Sequence, residues 1–138
     1  MKKNNLLALL IFVIFISIFL VSNLYFTINP VITSTFDAFV EVSDKAGFNV
    51  EHTSLNFSKV PPSLASIRYI QIQAPPYRSR VIISSSGSIA SWLSTQDNER
   101  ILEPGEFAEI AIRVNVPEDA PLNSTRTGIV TVKLFKED

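Results

Sequence analysis

Phe107-Ala108-Glu109-Ile110-Ala111-Ile112-Arg113-Val114-Asn115-Val116 alternates with a period of two. Ala108, Ile110, Ile112, Val114 and Val116 fall on one side of an extended chain, and Glu109, Arg113 and Asn115 on the other. That pattern belongs to a strand with one face in a core and one in water. Pro104-Gly105 opens the segment with a turn and Pro117 closes it. Proline has no N–H to give to a ladder, so it marks a strand end. Downstream, Gly128 to Phe135 repeats the pattern with Val130, Val132 and Leu134 inward.

The same period runs upstream. Thr53 to Ser58 turns Leu55 and Phe57 to one side, and Val60-Pro61-Pro62-Ser63 is a bend. Ile67 to Ala74 places Ile70 and Ile72 opposite Gln71 and Gln73 and ends at Pro75-Pro76. Arg80 to Ser84 alternates through Val81 and Ile83. Ser85-Ser86-Gly87 reads as a turn, and Ser88 to Leu93 as a short strand carrying Trp92. Ala38 to Val42 makes a first strand and Ser43 to Gly47 a turn after it. Short strands divided by Pro/Gly turns, with no helical period among them, predict an all-β, immunoglobulin-like antiparallel β-sandwich. A small barrel is the structural alternative.

The N-terminus is of another kind. Leu6 to Phe26, LLALLIFVIFISIFLVSNLYF, holds no charge. At 1.5 Å per residue it spans roughly 31 Å as a helix, against a hydrocarbon core of about 30 Å. Backbone amides in lipid need internal partners, which a single segment finds only as a helix. Lys2 and Lys3 are the only charges before Asp37, so the N-terminus stays cytoplasmic and the remainder is exported. Residues 1–5 form the cytoplasmic tail, 6–28 the transmembrane helix, 29–37 a spacer after Asn29-Pro30, and 38–138 the extracytoplasmic domain. A cleaved signal peptide would have a shorter apolar region and small residues at the cut, which Val21-Ser22-Asn23 does not supply. The reading is a retained signal-anchor. A pilin-like segment is the other alternative, although Lys3-Asn4-Asn5-Leu6 lacks the small residue that usually precedes processing.

Composition narrows the chemistry. All 13 acidic residues lie beyond the apolar segment, so the exported part is mildly acidic and has no electrostatic reason to bind nucleic acid. The chain has no cysteine and one histidine, His52. Disulfides and thiolate chemistry are excluded, and a histidine-based zinc site or triad lacks its partners. No serine stands in a G-x-S-x-G elbow. The expectation is no enzyme, no metal and no cofactor.

Turn residues carry a resemblance. Ala46-Gly47-Phe48-Asn49-Val50, Leu55-Asn56-Phe57, Val60-Pro61-Pro62, Ser86 to Leu93, Leu102-Glu103-Pro104-Gly105-Glu106, Val116-Pro117-Glu118-Asp119-Ala120-Pro121 and Thr127-Gly128 together resemble small archaeal membrane-anchored surface proteins. The resemblance implies an immunoglobulin-like β-sandwich and says little about activity. Where a glycine is usual after the V-P-x-x-A-P loop, this chain has Asn123.

Candidate sites are few. Asn56-Phe57-Ser58 and Asn123-Ser124-Thr125 are glycosylation sequons, with Asn123 the better acceptor in its Pro-rich loop. Arg68, Tyr69, Tyr77, Arg78 and Arg80 form the one basic and aromatic concentration, of a composition that suits a protein interface. Trp92 beside Ile89 and Leu93 reads as a core plug rather than a sugar platform. Asp97-Asn98-Glu99 and Glu118-Asp119 are acidic clusters without calcium-loop spacing, and read as solvated loops.

These readings converge on a non-catalytic, single-pass protein of the cell membrane. Its partners are the lipid bilayer, through the helix, and a surface-layer or filament protein, through the domain. It is an envelope accessory or docking protein. The alternatives are a pilin-like filament subunit, in which a strand such as Ala38–Val42 completes a neighbour's sheet, and a glycan-binding surface module.

Overall fold

The computed structural model describes residues 3–28, 32–47 and 54–138. The first described element is helix α1 (Lys3–Ile28). It contains no Gly or Pro to break it, and two of its polar side chains are satisfied inside it. The Ser17 hydroxyl donates to the Val13 carbonyl at 2.8 Å, and the Asn23 amide donates to that of Phe19 at 3.1 Å. Such back-bonding to residue i−4 keeps a polar group from facing lipid unpaired. From Lys3 to Tyr25 the helix is long and apolar enough to cross a membrane, and none of that span is buried in the protein.

Among the described residues eight strands follow: β1 (Ile32–Val42), β2 (Leu55–Val60), β3 (Ala65–Gln73), β4 (Ser79–Gly87), β5 (Leu93–Ser94), β6 (Ile101–Leu102), β7 (Phe107–Asn115) and β8 (Thr125–Lys136). They form a five-stranded sheet in the order β2-β1-β8-β4-β6 and a three-stranded sheet in the order β3-β7-β5. The period-two residues of both meet in one core. Ala38, Val40 and Val42 of β1, Val81 of β4 and Val130, Val132 and Leu134 of β8 pack with Leu55 and Phe57 of β2. Ile70 and Ile72 of β3 and Ala108, Ile110, Ile112 and Val114 of β7 enter the same core from the other sheet. The alternation of Phe107–Val116 thus faces as the sequence requires, and Val116 is buried just past the strand end.

Several expectations are corrected. The sheets are not wholly antiparallel, because β1 and β2 pair in parallel. Parallel neighbours need a long connection rather than a tight hairpin, and residues 43–54 supply it, so Ser43–Gly47 is not a two-strand turn. The segment 29–37 is not a spacer beyond its first residues. β1 begins at Ile32 and is paired with β8 from Ile32↔Leu134 to Glu41↔Thr125. Its Thr and Ser residues suit the half-exposed face of a strand, and the scarcity of apolar alternation before Ala38 hides it. Ser85-Ser86-Gly87 is not a turn, since β4 stays paired with β8 as far as Gly87↔Gly128. Ser88–Leu93 is not a strand. Ala90–Trp92 forms a 3-10 turn closed by the Trp92 N–H donating to the Ile89 carbonyl at 2.9 Å, and only Leu93 and Ser94 then extend. His52 and Asn29-Pro30 lie outside the described residues.

The topology gives the domain two ends. β1 starts just after the helix, so the near end holds Ile32, the start of β4, the end of β8 and the turn before β7. The far end holds Val42, Gly87, Thr125 and the loops 43–47, 61–64, 88–92 and 116–124.

Candidate functional site

The five residues of the expected interface are not brought together. Tyr69 lies on the outer face of β3, opposite Ala111. Arg68, one residue earlier, has the inward parity of Ile70 and Ile72. It is half-buried at the side of the core, and its Nε is buried without a hydrogen-bond partner. Tyr77 and Arg78 sit on the near end, where Arg78 pairs with Glu103 at 3.7 Å. Arg80 belongs to the outer face of the five-stranded sheet and pairs with Glu137 at 3.3 Å. Sequence proximity concealed this division, because successive residues of a strand point to opposite faces.

The sequons separate as well. Asn56 is half-buried on β2, and its Oδ1 accepts the Ser58 N–H at 2.9 Å. The register between β1 and β2 slips there, and Ser58 takes a φ of 59°. Asn123 is exposed on the far end with a φ of 63°. It occupies the left-handed conformation for which glycine is usual, and asparagine tolerates it better than other side chains. Its N–H donates to the Val42 carbonyl at 2.7 Å, while the Val42 N–H donates to the Ser124 carbonyl at 2.8 Å. The loop is therefore clamped to the end of β1 with the Asn123 side chain left outward.

Trp92 is half-buried against the core, and the Arg126 guanidinium lies over its ring at 4.8 Å from the centroid. A cation over the π-face holds both side chains in place. One face of the ring is thus taken by the protein itself, which leaves little of a sugar platform.

A further constellation was missed by sequence reasoning. Residues 95–100 form a strap across the side of the domain. The Thr95 hydroxyl donates to the Ala111 carbonyl at 2.8 Å, and the Asp97 Oδ2 accepts the Ala111 N–H at 2.9 Å. Two side chains thereby replace a missing strand on the open edge of β7. Next, the Asn98 Oδ1 accepts the Ile83 N–H at 2.8 Å. The Glu99 N–H donates to the Val81 carbonyl at 2.8 Å, and the Val81 N–H to that of Arg100 at 2.9 Å. The strap thus ties the three-stranded sheet to β4 of the other. Arg100 holds it from behind, 3.5 Å from Asp97 and 3.1 Å from Glu106. The cluster Asp97-Asn98-Glu99 is therefore a structural tie as well as a solvated loop, with Asn98 and Glu99 exposed. Thr95-x-Asp97-Asn98, acceptor and donor side chains between two strands, was its available signal.

Both Asp97 oxygens have protein partners, which leaves the carboxylate poorly disposed for a cation. Among the described residues, no group of three His, Asp or Glu side chains could hold a metal ion. Asp97→Ala should lower stability by about 1–3 kcal/mol, since it strands the Ala111 N–H. Asp97→Asn keeps an acceptor and loses only the half-exposed pair with Arg100, so its loss should stay below about 1 kcal/mol. Urea unfolding of both variants checks the contrast.

Beside the strap, a cavity of about 160 Å³ reaches inward between Ile83, Leu93, Ile112 and Val130, with Ser84, Ser85 and Ser94 around it. Its lining carries hydroxyls and the Asn98 amide but no titratable group. Comparison with protein-family models, curated proteins and solved structures finds no match for this chain.

Proposed function

We propose that this chain is a non-catalytic single-pass membrane protein. It keeps its N-terminus in the cytoplasm and displays an immunoglobulin-like β-sandwich outside the cell as an envelope accessory or docking protein. Its partner is a surface-layer or filament protein. One observation carries the reading: the apolar helix leaves its side chains bare and runs almost directly into the domain. Large side chains of α1 range from 43% exposed at Ile16 to 69% at Phe15. Burying such surface is worth about 25 cal/mol per Å², and the folded domain offers it no cover. Lys3 at the start of the helix, with Lys2 before it, supports the cytoplasmic N-terminus. The two sheets facing across one core support the sandwich, and the resemblance in turn residues supports a surface protein.

The bare helix also admits a second reading, a filament subunit whose helices bury one another. The strand-donating form of that reading loses its support. Ala38–Val42 is flanked by β2 on one side and β8 on the other, so its edges are already taken.

Membrane fractionation tests the proposal. The full chain should stay in the pellet through an alkaline carbonate wash and dissolve in detergent. External protease should digest the domain in intact cells. Release by carbonate, or a domain protected from external protease, counts against it. Recovery of the chain in sheared filaments selects the second reading.

A further inference from the structure

We propose that the near end of the domain is itself a lipid-contacting surface. Phe107 and Tyr77 seat at the headgroup level of a phospholipid bilayer, and Lys133 and Lys136 face its phosphates. The inference rests on the membrane-anchored reading above and adds a second point of attachment to it.

The connection sets the distance. α1 ends at Ile28 and β1 begins at Ile32. Four peptide steps reach no farther than about 14 Å, and α1 approaches β8. The headgroup layer on each side of a bilayer is itself about 5–8 Å thick. With the helix in lipid, the near end stays within about 14 Å of the helix end, at or close to that layer. The far end is held away by the length of β1, about 36 Å for its 11 residues.

The near end carries the side chains such a position calls for. Phe107 is 77% exposed, the most of any large apolar side chain described outside the helix. It has no polar tip to justify contact with water, and no neighbour covers it. It stands on a firm turn, where the Gly105 N–H donates to the Pro75 carbonyl at 2.9 Å and the Ala74 N–H to that of Glu106 at 2.8 Å. These bonds tie the Phe107 turn to the loop bearing Tyr77. Amphipathic rings such as that of Tyr77 settle at the membrane–water boundary, and exposed phenylalanine rings at the headgroup–acyl boundary beneath it.

The charges agree. Glu103, Glu106 and Glu137 at this end are each matched by an arginine, Arg78, Arg100 and Arg80 respectively. Lys133 and Lys136, on the strand beside the helix, have no ion pair within 4.0 Å among the described residues, which leaves their ammonium groups for phosphate.

The chain has no cysteine, so single cysteines can be labelled uniquely. Three full-length variants are reconstituted in phosphatidylcholine vesicles: Phe107→Cys at the near end, Leu122→Cys at the far end and Tyr25→Cys in the helix. All three positions are exposed and tolerate a label. Each carries an environment-sensitive fluorophore and is challenged with headgroup-level and mid-chain lipid quenchers. The label at 107 should shift to the blue and lose most of its emission to the headgroup-level quencher, while the label at 122 keeps its emission. A label at 107 as unquenched as that at 122, with the label at 25 quenched, overturns the proposal and leaves the anchor intact. If the label at 25 is unquenched too, the anchored reading fails and takes this proposal with it. As a second measure, Lys133→Glu with Lys136→Glu should weaken quenching at 107 in vesicles containing anionic lipid.

Discussion

Phe57→Ala should destabilise the domain by about 3–5 kcal/mol, the range for truncating a buried aromatic side chain. Phe57 is 1% exposed and heads the large side chains that are fully buried. It lies on β2, the outermost strand of the five-stranded sheet, so it pins an edge that has a neighbour only in β1. A domain of this size is stable by about 5–15 kcal/mol, so the loss is a large fraction of the whole. Urea unfolding should show the midpoint falling with little change in slope. A loss below about 1 kcal/mol means that the site collapses around the gap or that β2 frays from the core.

Gly128→Ala should be nearly as severe, at about 3 kcal/mol, although it adds only one methyl group. A Cβ at position 128 would stand 2.0 Å from the Ser86 carbonyl oxygen and 2.9 Å from the Ile89 Cγ2. The first contact is with backbone, so β4 must shift where it is paired with β8 through Gly87↔Gly128. Gly105→Ala is the control. Nothing lies within 4 Å of its added methyl group, and only its φ of 72° opposes the change, at about 1–2 kcal/mol. Thermal unfolding of the two variants should separate crowding from backbone conformation. Equal losses would show that the close approach at Gly128 relaxes freely.

These sites show which features the sequence made legible. Phe107–Val116 and Gly128–Phe135 alternate cleanly, so both their existence and their inward faces follow from pattern alone. β3 follows for the same reason, through Ile70 and Ile72. β1 was half lost because its early inward positions are Ser34 and Phe36, and its outward ones threonine and aspartate. The end of β4 was lost because a serine run favours turns locally, whereas its pairing with β8 is a tertiary matter. The parallel partnership of β1 and β2 has no local signature, since it depends on where residues 43–54 carry the chain. Among the site residues, Asn123 falls in a Pro-rich loop by sequence and stands exposed there. Its left-handed backbone explains why a glycine position could hold asparagine. The basic and aromatic group is not a single patch, because neighbours along the chain fall on different faces of strands and loops. The strap was overlooked for a related reason: its function lies in single hydrogen bonds to Ala111 and Ile83, which composition does not reveal.

The place of β1 inside its sheet has a mechanical consequence. The strand that leaves the helix is bonded along its length to β8 and beside it to β2. A load gripped at the far end and resisted by the anchor pulls along this strand, across the direction of its hydrogen bonds. Those bonds must then shear as a set. A pull between the anchor and the C-terminus would instead open the β1–β8 ladder one bond at a time, because Ile32 and Lys136 lie at the same end. The domain is stiff against tension applied at its far end and weak against tension between its own termini. Single-molecule pulling along the two axes should show rupture forces in that order.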